Sequence, residues 1–246
     1  MKVLITGASS GLGAELARQY AHKDNELTLL ARREDRLYEL RKELYEKCES
    51  VEIIVADVTE FHSLQEKLSQ IKSLDMVILN AGISLGHSSD EDYIPTIEEF
   101  EKLYKVNVLS AHAILEVLLP LFKAQKSGKI VFISSLASFF SMPTSTVYSS
   151  SKRALNAYAE GVRYEYNKYG IKVLNILPGF IKSELTDKND FNMPFILETE
   201  VGVAKIVKAI EKSKRQYIFP LRFYLIIKLL KILPSFLQEK IINKME

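Results

Sequence analysis

Short apolar runs alternate with amphipathic stretches along nearly the whole chain. The runs Val3–Ile5, Leu27–Ala31, Val51–Ala56, Met76–Leu79, Lys129–Ser134, Lys172–Leu177 and Tyr217–Phe219 are three to six residues long and rich in Val, Ile and Leu. That length and composition suit strands buried on both faces. Between them, apolar residues recur at helical spacing over Gly11–His22, Arg36–Cys48, Phe61–Ile71, Thr96–Phe122, Tyr148–Tyr169 and Val201–Lys212. Strand alternating with helix implies crossover units around a parallel sheet with helices on both faces. The fold class is therefore α/β, a Rossmann-type doubly wound parallel sheet. In such sheets ligands bind beyond the carboxyl ends of the strands. Asn80 and Ser135 fall just past two of those ends.

The first strand runs directly into Thr6-Gly7-Ala8-Ser9-Ser10-Gly11-Leu12-Gly13, and a helical pattern follows. Glycines at a strand-to-helix turn allow tight backbone geometry and close approach of a pyrophosphate. The helix start adds free N–H groups and partial positive charge. The segment reads as a dinucleotide grip with the spacing T-G-x-x-x-G-x-G. At the end of the second strand stand Arg32 and Arg33, where an acidic residue would hydrogen-bond an unphosphorylated ribose. Arginine there suits a 2′-phosphate, so NADP(H) is favoured over NAD(H). Glu34 and Asp35 follow immediately, and a shift of the loop would bring one of them to the ribose.

Four Tyr-x-x-x-Lys pairs occur: Tyr38/Lys42, Tyr148/Lys152, Tyr164/Lys168 and Tyr224/Lys228. Two of them have a serine 13 positions upstream of the tyrosine. Ser151 and Tyr164 fall in one helix and would be roughly 20 Å apart. Ser135 and Tyr148 are separated by a strand end and a loop, so the chain can bring them together. This set suits the reduction of a carbonyl. Tyr148 would supply the proton to the developing alkoxide, Lys152 would favour the phenolate and lower the tyrosine pKa, and Ser135 would donate to the substrate oxygen. Ser134 is the alternative serine, since spacing alone separates the two.

These motifs give the chain a resemblance to the short-chain dehydrogenase/reductase family from Lys2 to about Phe219. The cofactor turn, Asp57-Val58, Asn80-Ala81-Gly82, Asn107, Ser135, Tyr148, Lys152 and Pro178-Gly179 fall in the family's order. Leu79 stands where an additional Asn is frequent, and Ser183 where Thr is common. The resemblance implies that Asp57 and Val58 border adenine and that Lys152 also holds the nicotinamide ribose. It implies that Ile181 and Ser183 meet the nicotinamide carboxamide. It also implies a water relay behind Lys152, with Asn107 positioning the water; from the residues alone, Asn107 would simply bond backbone. A homo-dimer or homo-tetramer is implied as well. The implied activity is an NADP(H)-dependent oxidoreductase interconverting carbonyl and alcohol on a small-molecule substrate. Two alternatives stand beside it: reduction of a carrier-bound 3-oxoacyl group, and a catalytically silent NADP(H)-binding or scaffold protein.

Leu185–Thr199 carries Phe191, Met193, Pro194, Phe195 and Ile196 and is a candidate lid, facing either a hydrophobic substrate portion or the core. Residues 221–246 form a C-terminal amphipathic helical extension of the 1–220 catalytic domain. In it Pro234 should end one helix and Ser235 cap the next. Lys228, Lys231 and Pro234 argue against a membrane span. The extension would close the pocket, pack in an oligomer or lie on a membrane surface as a peripheral contact.

The remaining composition narrows the class. The chain has 246 residues, 47% of them hydrophobic, enough for one sizeable core. The net charge of +2 gives no reason to expect nucleic acid. The single Cys48 fits a reducing compartment and reads as a structural or surface thiol. His22, His62, His87 and His112 lack ligand-like pairing, so no metal is expected. The first strand begins almost at Met1, so a cytoplasmic protein without a targeting extension is expected, with membrane association left to the tail.

Overall fold

Seven strands pair in the order β3-β2-β1-β4-β5-β6-β7 in the computed structural model, and every pairing is parallel. Residues 1–85, 93–141, 145–189 and 193–242 are described. The strands are β1 Lys2–Thr6, β2 Glu26–Ala31, β3 Ser50–Val55, β4 Met76–Leu79, β5 Gly128–Ile133, β6 Ile171–Pro178 and β7 Gln216–Phe219. Each lies within two residues of the run that predicts it. The match is close because a strand buried on both faces is continuously apolar, and its ends show as a change of polarity.

Alternate residues of each strand feed two cores, one on each face of the sheet. Val3, Ile5, Leu27 and Leu29 pack on one face with Leu16, Leu37 and Ile206. These come from α1 (Gly11–Tyr20), α2 (Glu34–Leu44) and α7 (Thr199–Glu211). Leu4, Leu30, Val77 and Phe132 pack on the other face with Leu64, Ile114 and Leu155. Those helices are α3 (Phe61–Leu68), α5 (Ser110–Gln125) and α6 (Thr146–Tyr166). Cys48 is buried and unpaired, and burial pushes its thiol pKa up.

The sequence pattern differs from the structure in one functionally placed segment. The single helix expected over Thr96–Phe122 is α4 (Ile97–Tyr104), a π-helical turn at Lys105–Leu109, and then α5. A capping box between Thr96 and Glu99 starts α4. Hydrophobic periodicity does not register a single widened turn, because the apolar stripe continues through it. Asn107 sits in that turn. Ile97–Gln125 is also the one stretch among the described residues that is long and apolar enough to cross a bilayer. More than half of its apolar window is buried, as befits a core helix.

The C-terminal extension forms α8 (Leu221–Ile232) and α9 (Ser235–Ile242), with the break near Pro234. Ser235 begins α9 rather than capping it, since the Pro234 carbonyl already accepts from the Leu237 and Gln238 N–H groups. Phe223 stacks on Phe180, and Tyr224 lies against Phe139, which fastens α8 over the sheet's carboxyl edge. Leu221, Leu225, Leu229, Ile232 and Phe236 remain exposed.

Two glycines test the packing. A methyl group on Gly128 would lie 2.4 Å from the buried Phe122 ring, so Gly128→Ala should destabilise the fold by about 1–3 kcal/mol. Gly161, in the C-terminal half of α6, has nothing within 4 Å, and Gly161→Ala should stabilise the fold by about 0.5–1 kcal/mol. Urea unfolding of both variants measures the contrast. Equal effects would contradict this packing.

Candidate active site

The carboxyl ends of β1, β4, β5 and β6 open into a cleft of about 860 Å³, a size that holds a cofactor together with a substrate. Of the residues expected in the site, Gly7, Ser9, Ser10, Gly11, Leu12, Arg32, Arg33, Asp57, Val58, Asn80, Ala81, Gly82, Ser135, Tyr148, Lys152, Pro178, Gly179, Ile181 and Ser183 all line it. Gly13 and Asn107 stand behind it. A methyl group on Gly13 would fall 2.2 Å from the Gly7 carbonyl oxygen and 2.7 Å from Asn80 Nδ2. Gly13 thus lets α1 press against the turn.

The turn fits a pyrophosphate. Gly7 takes φ +66°, which returns the chain sharply from β1 and which a side chain would strain. Ser10, at the N-cap of α1, makes no capping hydrogen bond, and the first turn carries no acidic residue. The first N–H groups of α1 are therefore directed to whatever anion lies in the cleft.

Ser135, Tyr148 and Lys152 lie across the cleft. Ser135 caps a short 3-10 turn after β5, its Oγ accepting from the Ala137 N–H at 3.1 Å. It also faces Tyr148, which α6 carries towards the strand end, and its hydroxyl acts to lower the tyrosine's pKa. Ser134 instead turns its hydroxyl to the Lys152 carbonyl at 3.4 Å. The structure thereby selects Ser135 as the partner of the tyrosine. Lys152 is buried one turn along α6, its Nζ 5.8 Å from the Tyr148 ring centroid and donating to the Ile133 carbonyl at 3.0 Å. Tyr164, the competing tyrosine, is 70% exposed and bonds Glu160 on the outer surface.

The electrostatics differ from expectation at Tyr148. Burial raises its pKa above the ordinary phenol value, and the neighbouring Ser135 hydroxyl offsets this only in part. Lys152 does not win, because the same burial works against its own charge and pushes its pKa down to about 8. A tyrosine that keeps its proton remains competent as an acid.

Asn107 reaches the back of this group. Its Oδ1 accepts from the Ile83 N–H at 2.8 Å, and its Nδ2 donates to the Ile83 carbonyl at 3.0 Å and to Ser151 Oγ at 3.1 Å. Ser151 donates in turn to the Tyr148 carbonyl at 2.8 Å. The backbone that Asn107 bonds belongs to the β4 loop, not to its own helix. A methyl group on Gly82 would meet Asn107 Oδ1 and Lys152 Nζ alike, so the two polar groups flank one small space.

Beyond the ends of β2 and β3, Arg32 pairs with Asp57 at 3.1 Å. Burial alone would raise the Asp57 carboxyl, but the Thr59 N–H and hydroxyl and the Arg32 guanidinium outweigh it and hold it below its usual value. Arg33 donates to the Ser9 and Ser10 hydroxyls and, at 2.9 Å, to Glu184. Arg36 pairs with the same carboxylate. Glu34 and Asp35 occupy the first turn of α2, where their charge suits the dipole, and neither lines the cleft.

The residues match a known family model. The description "short chain dehydrogenase" covers residues 1–193. The chain belongs to the short-chain dehydrogenase family. Among curated members, an uncharacterized oxidoreductase of Myxococcus xanthus is 34% identical over 236 residues, covering 94% of this chain and 92% of the relative. An uncharacterized oxidoreductase of Mycobacterium tuberculosis is 36% identical over 223 residues, covering 86% and 85%. A solved short-chain dehydrogenase from Sphingobium yanoikuyae in complex with NADPH superposes with a TM-score of 0.81 at 26% identity, covering 89% and 88%. As a short-chain dehydrogenase the protein is an oxidoreductase acting between CH–OH and C=O groups.

Two participants escape the sequence motifs. Arg36 lies three residues beyond Arg33, a spacing that shares a helix face and so was available as a signal. Glu184 has no local signature, because its partners lie about 150 positions earlier.

Burial of Lys152 has a measurable consequence. A lysine whose folded pKa falls from 10.5 to about 8 weakens the fold fully below pH 8, and the penalty fades between pH 8 and 10.5. Lys152→Met should therefore be more stable than wild type at pH 7, by on the order of 1–2 kcal/mol after allowing for the lost Ile133 hydrogen bond. The gain should vanish as pH approaches 10.5. A less stable variant at pH 7 in chemical denaturation would contradict the assignment.

Proposed function

We propose that the protein is an NADP(H)-dependent oxidoreductase that interconverts a carbonyl and an alcohol on a small, partly hydrophobic substrate. The observation that carries this reading is the convergence of Ser135, Tyr148 and the buried Lys152 on one cleft, across from the glycine turn. When bound, the nicotinamide supplies the hydride. Gly7, Gly11 and the start of α1 seat its pyrophosphate, Asp57 and Val58 border adenine, and Arg32 and Arg33 stand at the 2′-phosphate end. Asn80, Ala81, Gly82, Pro178, Gly179, Ile181 and Ser183 line the nicotinamide half. The NADPH held by the Sphingobium relative supports the phosphorylated form.

Tyr148 donates a proton to the substrate oxygen in reduction and removes it in oxidation. Ser135 donates a hydrogen bond to the same oxygen as charge develops there. Lys152 holds the nicotinamide ribose and, below about pH 8, places a positive charge behind the phenol. Asn107 positions a water in the space that it shares with Lys152 and Gly82, through which the proton is replaced.

Apolar lining on the open side favours a substrate with a hydrophobic portion. Phe140, Leu185, Pro194, Phe223, Ile227 and Leu230 face the cleft there. The candidate lid contributes Leu185 and Pro194 on one flank, while Phe195 packs against Phe223; Phe191 lies outside the described residues. In this reading residues 1–220 are the catalytic unit and residues 221–246 complete its pocket. The protein works in the cytoplasm as a homo-dimer or homo-tetramer, and the exposed apolar face of α8 serves an oligomer or a peripheral membrane contact.

Tyr148→Phe should preserve NADPH binding and lower kcat by at least about a hundredfold. Tyr164→Phe should leave turnover near wild type. A panel of ketones and aldehydes followed by NADPH absorbance identifies the substrate, and near-normal kcat in the Tyr148 variant would overturn the assignment. Titration should give NADPH about ten- to a hundredfold tighter than NADH. Equal or tighter NADH binding would overturn the cofactor choice.

A further inference from the structure

Two guanidiniums converge on one carboxylate beside the glycine turn of the cleft, and one of them also reaches two hydroxyls of that turn. Glu184 follows β6, yet it reaches back to the residues that follow β2. Its Oε2 accepts from Arg33 Nη1 at 2.9 Å, and its Oε1 accepts from Arg36 Nη1. Arg33 continues through Nε and Nη2 to the hydroxyls of Ser9 and Ser10. The hydrogen bonds from Arg36 and Arg33 hold the Glu184 carboxyl down at about 2, so it is an anion at any physiological pH.

We propose that Glu184 is an internal competitor for the 2′-phosphate subsite, and that Arg36 is a phosphate ligand alongside Arg33. The inference rests on the NADP(H) reading above. The argument is one of charge and geometry. Arg33 and Arg36 point at one place, and two cations so close require an anion between them. A carboxylate supplies one negative charge and two acceptor oxygens. A 2′-phosphate supplies up to two charges and three oxygens, and matches the guanidinium fork equally well.

The exchange is feasible because the carboxylate is weakly held. The side chains of Arg33, Arg36 and Glu184 are all close to half exposed, and ion pairs at that exposure contribute little. A cofactor with only neutral hydroxyls on this ribose offers the arginines no charge in exchange, so it leaves the Glu184 contacts in place. Glu184 therefore weakens NADPH binding without a matching effect on NADH. The same exchange detaches the segment after Ser183 from the adenine end of the cleft.

The test is calorimetric titration of the full chain with adenosine 2′,5′-bisphosphate, and with 5′-AMP as the probe lacking the 2′-phosphate. Glu184→Gln keeps the size and removes the charge. It should tighten the bisphosphate by about three- to tenfold and change 5′-AMP by less than twofold. Arg36→Met should weaken the bisphosphate by about tenfold. In the double variant the gain from Glu184→Gln should shrink, because one of the two contested guanidiniums is gone. Unchanged or weaker bisphosphate binding in Glu184→Gln would overturn the competition, as would an equal gain for both probes. Unchanged binding in Arg36→Met would remove Arg36 from the subsite. If the wild type held 5′-AMP as tightly as the bisphosphate, the NADP(H) reading itself would fall. A wild type that prefers the bisphosphate beside a flat Glu184→Gln response would remove only the competitor.

Discussion

The site depends on a clasp between β1 and β4, the two strands at which the order of the sheet reverses. Thr6 Oγ1 accepts from the Asn80 and Ala81 N–H groups, both at 3.0 Å, and donates to the Ile78 carbonyl at 3.3 Å. Asn80 Nδ2 donates back to the Thr6 carbonyl at 3.0 Å. Parallel strands diverge beyond such a switch point, and the ends of their ladders leave polar backbone groups to be satisfied. The clasp satisfies them with two side chains while keeping the crevice open. Each bond contributes only about 0.5–1.5 kcal/mol net, but leaving its buried partner unmet costs about 1–3 kcal/mol. The geometry of the glycine turn follows from this, since Gly13 is pressed between the Gly7 carbonyl and the Asn80 side chain.

The second constraint is the burial of a cation beside a phenol. Water would charge Lys152 readily and would let Tyr148 ionise near its ordinary value. Burial opposes both, so the pair rests as a protonated phenol beside an amine poised near pH 8. Stability alone would favour an apolar residue at 152. The Ile133 carbonyl accepts from Lys152 and the Ser135 hydroxyl faces the phenol, while the Asn107–Ser151 chain holds the backbone of Tyr148 in place.

Legibility in the sequence follows the range of the physics involved. The seven strands could be read because burial on both faces writes itself into consecutive residues. The glycine turn and the Ser135–Tyr148–Lys152 set could be read because each is local, or closed by a single loop. The π-turn at Asn107 could not, since a widened turn leaves the apolar stripe intact. The direction of the Tyr148 shift could not either. A cation four positions away is visible in the sequence, whereas the extent of burial is a property of the whole fold. Glu184 is the limiting case: its carboxylate acquires partners only when β6 lies three strands from β1 and its loop turns back to the arginines after β2.

The two ends of the cleft are built on different physics. Beyond β2, charge is paired with charge through directional bonds, Arg32 with Asp57 and both Arg33 and Arg36 with Glu184. At the far end, α8 contributes Phe223, Ile227 and Leu230 through packing that any similar apolar surface could match. Directional bonds fix one ligand geometry, while apolar packing tolerates many. Contacts of the first kind select a ligand by its geometry, and those of the second only by its polarity. The same α8 turns Leu225, Leu229 and Ile232 outward. A single helix thus forms the pocket wall on one side and an uncovered apolar face on the other. The two sets of side chains lie within one turn of each other, so the same short helix meets the packing demands of the cleft and of the outer surface at once.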